Sequence, residues 1–219
     1  AAIVPDLVAF LRRSPALETL SVWKNHLGDA SAELLKVSSL RSLELGWNSL
    51  TNSSLSKIAR RALRRASKLN SLSLRANFSI SDPTALFPLM TDHPSLTVLD
   101  LADCSLSFAG VTALASVIPR ASSTLTALRV HNNHDMGVKG IAVLRQALLL
   151  NNHLLELHES SAISPVLQRN AVLRATAADV AENAANIGAI SHRETTTTSS
   201  SHLVVSMRFP VDSDTAPLL

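Results

Sequence analysis

Leucine and other aliphatic residues return along the chain in a fixed frame: Leu, two residues, Leu, one residue, an aliphatic, two residues, Asn or Cys, one residue, an aliphatic. The first copy is Leu17, Leu20, Val22, Asn25 and Leu27, and the second is Leu40, Leu43, Leu45, Asn48 and Leu50. The third has Leu69, Leu72, Leu74 and Asn77, with Ile80 one residue late; the fourth has Leu96, Leu99, Leu101, Cys104 and Leu106. A fifth runs Leu125, Leu128, Val130 and Asn133, with Met136 again one residue late, and a degenerate sixth opens at Leu154 and Leu157. From Leu17 to Leu154 the starts are 23, 29, 27, 29 and 29 residues apart. A leucine-rich helix would recur at three and four residues, whereas this triplet alternates with polar residues and then stops, which predicts a short strand. The Asn or Cys falls where the chain leaves that strand, and a short polar side chain there can bond the turning backbone, a structural role.

After each strand the spacing becomes helical: Leu34, Leu35 and Val37; Leu55, Ile58, Ala62 and Leu63; Val111, Leu114, Val117 and Ile118; Ile141, Leu144, Leu148 and Leu149. Gly110 and Gly140 sit at matching places near two helix starts, where a missing side chain permits close backbone approach, and Ser31 and Ser54 stand there in the first two repeats. Pro83, Pro88 and Pro94 should leave the third repeat's segment irregular or only briefly helical. Residues 1–16, with Val4, Leu7, Val8, Phe10 and Leu11, read as the helix of a partial repeat, so the chain is expected to begin inside a longer solenoid. Residues 17–159 carry the repeats. Residues 160–192 read as a closing helical region, and residues 193–219, with the polar run Glu194 to His202, as a disordered low-complexity tail.

Five copies in register resemble the ribonuclease-inhibitor-like class of leucine-rich repeats, shared by ribonuclease inhibitor, the sensor domains of NOD-like receptors and Ran GTPase-activating protein. The resemblance spans roughly residues 1 to 175. It implies an α/β leucine-rich-repeat solenoid, a right-handed horseshoe with a parallel sheet on its concave side and helices on its convex side. It implies no particular activity, because one fold carries many functions.

Composition narrows the picture further. Hydrophobic residues make up 46% of the 219 positions but aromatics only 3%, with no Tyr, so aliphatic side chains must do nearly all the packing. The single cysteine, Cys104, cannot form an internal disulfide, which favours a reducing compartment, cytoplasmic or nuclear. No apolar run has the length of a membrane span, and the first ten residues do not read as a signal peptide, so no membrane association is expected. A net charge of +3 is too small to imply nucleic acid without a concentrated basic face.

Candidate chemistry is sparse. His131 and His134 are the closest histidine pair, but the first belongs to the strand region and the second to the turn, with no ligand set around them, so no metal, cofactor or catalytic site is expected. Cys104, in the Asn frame, reads as a buried structural thiol. Lys57, Arg60, Arg61, Arg64, Arg65 and Lys68 form a dense basic run that could meet an acidic partner or nucleic acid, although the polar outer face of any convex helix reads the same way. The residues between the buried leucines say more, since they project from strands about 4.8 Å apart. One column reads Ser21, Glu44, Ser73, Asp100, Arg129 and His158; the next reads Trp23, Gly46, Arg75, Ala102 and His131; a third reads Lys24, Trp47, Ala76, Asp103 and Asn132. Trp23, Lys24, Glu44, Trp47, Arg75, Asp100, Asp103, Arg129 and His131 are therefore the candidate partner-binding residues, aromatic anchors in a polar surround. Packing of the two indoles for stability alone is the competing expectation. The function these features point to is a non-enzymatic protein-binding scaffold. An enzyme-regulating repeat protein, such as a GTPase activator, and the recognition end of a sensor or ubiquitin-ligase subunit are the alternatives.

Overall fold

The computed structural model describes residues 3–154 and 156–158. The region 160–192 and the tail 193–219 lie outside the described residues. Six three-residue strands form one parallel sheet in sequence order: β1 (Thr19–Ser21), β2 (Ser42–Glu44), β3 (Ser71–Ser73), β4 (Val98–Asp100), β5 (Ala127–Arg129) and β6 (Glu156–His158). Leu20 pairs with Leu43, Leu43 with Leu72, Leu72 with Leu99, Leu99 with Leu128 and Leu128 with Leu157, so the second leucine of every frame occupies one register. Parallel neighbours need a crossover, and each repeat supplies one as a helix packed behind the sheet.

Those helices are α1 (Ile3–Arg12), α2 (Asn52–Arg65), α3 (Phe87–Asp92), α4 (Phe108–Val117) and α5 (Gly137–Leu148). The first complete repeat departs from the expected helix: residues Gly28–Lys36 form a 3-10 helix, whose tighter pitch suits a repeat six residues shorter than the next (23 against 29). In the third repeat a 3-10 turn, Thr84–Leu86, leads into the six-residue α3, with Pro88 in its first turn and Pro94 beyond its end. The α2 start is closed by Thr51, whose N–H donates to Ser54 Oγ at 3.1 Å, and the α4 start by Ser107, whose Oγ accepts from the Gly110 N–H at 3.0 Å. Gly110 does need to be glycine, because a β-carbon there would collide with the Ser81 carbonyl oxygen of the preceding repeat.

Between sheet and helices runs one continuous core of stacked leucines. Leu43, Leu72, Leu99 and Leu128 are buried, as are Leu45, Leu74, Leu101 and Val130 of the third frame position and Leu55, Ile58, Leu114 and Leu144 from the helices. Ile80 and Met136, the late aliphatics, are buried too, so the extra residue before each is accommodated in the turn and the core layer is kept.

Three buried asparagines bind the turns of successive repeats. Asn48 Oδ1 accepts from the Asn25 and Leu27 N–H groups at 3.2 Å each, and its Nδ2 donates to the Val22 carbonyl at 2.9 Å and that of Gly46 at 3.0 Å. Asn77 repeats the pattern one layer on: Oδ1 accepts from the N–H of Asn48 and of Leu50, and Nδ2 donates to the Leu45 and Leu74 carbonyls. Asn133 accepts from the Leu106 N–H and donates to the carbonyls of Leu101 and Val130. Cys104 holds the same place with a single weak donation, Sγ to the Leu74 carbonyl at 3.7 Å.

A second set of side chains does similar work where the chain re-enters the sheet, three residues before the first leucine of a frame. Asn151 donates to the Ile118 carbonyl at 2.8 Å and accepts from the His153 and Leu154 N–H groups. His93 stands at the equivalent place before Leu96: its Nδ1 accepts from the Ser95 N–H at 3.3 Å and the Leu96 N–H at 3.1 Å, which assigns the ring proton to Nε2, 3.2 Å from the Ala66 carbonyl. Burial holds the His93 imidazole below its ordinary value.

Two outcomes follow from this packing. Leu99→Ala, at the centre of the stack and fully buried, should cost about 2–5 kcal/mol by denaturant titration, and a loss below about 1 kcal/mol would show that the site is not a close-packed core position. His93 gives a signed pH dependence. Because its folded-state value is depressed, its contribution is full above the unfolded value of about 6.5 and is lost as pH falls below it, where the unfolded chain takes up a proton that the folded one resists. Stability should therefore decline from about pH 6.5 downward, above the range of the carboxylates. His93→Asn, which supplies the amide found at Asn151, should flatten that arm; an unchanged slope would assign it to another group.

Candidate functional site

The strands are shorter than the sequence pattern implies, and this changes where the candidate residues stand. Only the first column lies on strands, with Ser21, Glu44, Ser73, Asp100, Arg129 and His158 in lateral register. Trp23, Gly46, Arg75, Ala102 and His131 lie just past the strand ends, although the lateral ladder continues there: the Lys24 N–H donates to the Gly46 carbonyl, and that of Trp47 to the Arg75 carbonyl, both at 3.0 Å. The third column is a turn. Lys24, Trp47, Ala76, Asp103 and Asn132 all have positive φ, between 52° and 59°. A left-handed conformation at five successive non-glycine positions is costly for each, on the order of 1 kcal/mol or more. The asparagine one residue later holds the bend against that cost in every repeat but the fourth, where Cys104 stands, and the column is displayed by the turn rather than by strand pleating.

Trp23 lies flat against the backbone of the next repeat, over Gly46, where any β-carbon would collide with its six-membered ring. Trp47 projects from its left-handed turn and meets Phe78 edge to face, with centroids 5.1 Å apart and planes at 88°. Lys24 Nζ stands 5.5 Å from the centroid of the Trp47 ring. Trp23 and Trp47 remain 37% and 39% exposed and Phe78 55%, so part of each ring is open to another molecule. Together with Glu44, Arg75, Ala76 and Asp103 these three aromatics line an open depression of about 470 Å³.

Polar contacts across repeats fix its rim. Ser21 Oγ donates to Glu44 at 2.6 Å, Arg75 Nε donates to Asp103 at 2.6 Å, and Asn132 Nδ2 donates to Asp103 at 2.8 Å. Partial burial opposes ionisation of Asp103, but the hydrogen bonds from Asn132 and Arg75 and the nearby charges of Arg75 and His131 outweigh it and hold the carboxyl below its ordinary value. An exposed pair such as Arg75 and Asp103 adds at most about 1 kcal/mol to stability, so its consequence is to orient the guanidinium at the rim.

The structure thus brings Trp23, Lys24, Glu44, Trp47, Arg75 and Asp103 together and leaves the other three candidates apart. Asp100 is buried, its Oδ1 accepting from the Ala102 N–H at 2.9 Å, so it is not displayed as expected. Arg129 and His131, on and just after β5, are half-buried and do not line the depression. Phe78 is the residue that the pattern of the chain did not single out. Its signal was present in the lateness of Ile80: the one extra residue between Asn77 and Ile80 sits in the turn, and Phe78 is pushed onto the open face.

Other expectations resolve similarly. The thiol of Cys104 is buried and its pKa is pushed up to about 12, chiefly by burial. Among the described residues no three of His, Cys, Asp and Glu converge to hold a metal ion, and no helix is long and apolar enough to cross a membrane. The basic run from Lys57 to Arg65 lies along α2, with Lys68 past its end, Lys57 paired to Asp29 and Arg61 to Glu33, and Arg60, Arg64 and Arg65 exposed.

Comparison with known proteins agrees with the fold. A family model described as a leucine-rich repeat matches residues 38–59 and 92–115. Compared with curated proteins by sequence, the chain has no match. Among solved structures it is similar to leiomodin-1 actin-binding site 2, with a TM-score of 0.54 at 15% identity over 84% of this chain and 98% of that one. It is also similar to the tropomodulin C-terminal domain of Caenorhabditis elegans, with a TM-score of 0.53 at 18% identity over 81% of this chain and 98% of the other.

The state of Cys104 can be measured directly. At about pH 8 the folded chain should resist alkylation by iodoacetamide and react promptly once denatured, because the thiolate is the nucleophile and the fold suppresses it. Equal labelling rates in the two states would show that the thiol is exposed.

Proposed function

We propose that this leucine-rich-repeat protein is a non-enzymatic binding module that holds a protein partner on the open edge of its parallel sheet, with Trp23, Trp47 and Phe78 as anchors and Lys24, Glu44, Arg75 and Asp103 as the polar rim. The observation that carries the reading is the depression of about 470 Å³ where three aromatics from three successive repeats converge. In a chain with only 3% aromatics and no Tyr, convergence of three on one exposed site is a concentration that core packing does not require. Partly exposed Trp rings surrounded by oriented charged groups are the composition of interface hot spots, where aromatic area supplies affinity and the rim excludes water and fixes register.

The similarity to leiomodin-1 actin-binding site 2 supports the reading, since that neighbour uses this fold as a protein-binding surface. For this chain the partner is described by chemistry. It presents an apolar side chain to the aromatics, flanked by polar groups that meet Glu44 on one side and Arg75 on the other.

Capture of a partner from a lysate of the source cells, followed by its purification, provides the assay. Trp47→Ala and Phe78→Ala should each weaken the measured affinity by roughly 2 kcal/mol, about thirtyfold, with little change in melting temperature, while Ser73→Ala changes neither. Trp23→Ala should lower both affinity and melting temperature, because that ring also covers Gly46. Equal affinity across Trp47→Ala, Phe78→Ala and Ser73→Ala would show that the aromatics serve packing alone.

A further inference from the structure

Parallel repeats align their helices, so the C-terminal ends of successive helices lie along one edge of the stack. The α1, Gly28–Lys36 and α2 helices each carry cations in their last turn: Arg12, Lys36, and Arg64 with Arg65. One cation per helix end is ordinary, since each end bears roughly half a negative charge. The first repeats go well beyond that. Among the described residues, Arg12, Lys36 and Arg65 line a depression of about 250 Å³, and Lys36, Arg60, Arg61, Arg64 and Arg65 line another of about 290 Å³. The two share Lys36 and Arg65, so six cations from three elements surround one continuous basic surface. Glu33, paired with Lys36 and Arg61, is the acid that meets them. Six positive charges, less one for Glu33 and about 1.5 for the three helix ends, leave a surplus of about 3.5 on this surface.

We infer that this surface is a binding site for a compact ligand carrying several phosphate groups, separate from the aromatic depression on the sheet side. Five of the six cations are Arg, whose planar fork grips phosphate oxygens two at a time, and the shared residues let two neighbouring phosphates occupy the two depressions at once. Among the described residues, no apolar or aromatic side chain lines either depression. An acidic peptide therefore finds no hydrophobic anchor, and a single-stranded nucleic acid finds no surface on which to stack a base. The stripe also stops after the second repeat, because neither α3, which ends on Asp92, nor α4 carries a cation in its last turn, so the ligand is short.

Titration calorimetry of the full chain with inorganic tripolyphosphate, and in parallel with citrate, tests the assignment. Tripolyphosphate should bind at one site, about tenfold or more tighter than citrate. The double substitution Arg12→Gln and Arg65→Gln, at exposed positions, should weaken it by about tenfold or more, with the circular dichroism spectrum unchanged. Arg145→Gln, at the far helix end of α5, should leave it untouched. Vesicles containing a bisphosphorylated inositol lipid separate the two sources of this chemistry: co-sedimentation that tripolyphosphate reverses supports a membrane headgroup, and a chain that stays in the supernatant while binding tripolyphosphate supports a soluble one. Citrate binding as tight as tripolyphosphate, an affinity unmoved by the double substitution, or a single-stranded oligonucleotide that displaces tripolyphosphate with steep salt dependence would each overturn the inference.

Discussion

Where the chain leaves a strand inside the stack, the backbone bends between two neighbouring repeats, and beyond the lateral ladder its N–H and C=O groups have no strand partner. An asparagine amide offers two donors and two acceptor sites on a short stem, enough to satisfy groups of its own repeat and of the repeat before it at once. Asn48, Asn77 and Asn133 each donate to the third-position aliphatic carbonyl of the preceding repeat and to a carbonyl at the strand exit of their own. The consequence reaches beyond the turn. Each amide fixes the spacing between repeats, holds a left-handed residue in place one position earlier, and thereby aims the side chain of that residue onto the open face. Leucine burial supplies most of the driving force, but it is indifferent to where a stack is cut or shifted; the amide ladder is what keeps each layer at one height.

The break in that ladder at Cys104 is informative. A thiol there donates one weak bond, where an amide would make several, and the turn after β4 is held partly by other means: Asp103, the left-handed residue beside it, takes hydrogen bonds from Arg75 on one side and Asn132 on the other. The polar network that orients the rim of the aromatic depression thus stands next to the weakest link of the internal ladder. Surface contacts spanning three repeats take up a positioning role that one buried side chain performs elsewhere.

Two faces of the molecule acquire different chemistry from one rule of assembly. Parallel stacking puts equivalent residues in columns, so a chance aromatic in one repeat is brought beside an aromatic in the next, and cations at helix ends are brought beside one another. In the first three repeats aromatics fall at neighbouring frame positions and cations crowd the helix ends. Trp23, Trp47 and Phe78 converge on the sheet side, and Arg12, Lys36 and Arg65 on the helix side. Translation by one repeat places like residues side by side whatever their role, and the proposals for these two clusters rest on their excess over what packing or helix polarity requires.

The sequence by itself determined the stack: which leucines are buried, the parallel order of the strands, the place of the asparagines and the shortness of α3 were all legible, because burial at a fixed period and proline stereochemistry act locally and repeat. It also determined which residues share a column, since register follows from the frame. Display was decided only by the tertiary structure. The left-handed turn removed Trp47 and Asp103 from strand geometry, burial took Asp100 out of reach of any partner, and the extra residue before Ile80 put Phe78 against Trp47. In the same way Arg12 and Lys36, 24 residues apart and on different helices, joined Arg65 only once the repeats were stacked. Periodicity specifies position along the chain, whereas exposure depends on backbone conformation and on neighbours in other repeats, neither of which a one-dimensional pattern contains.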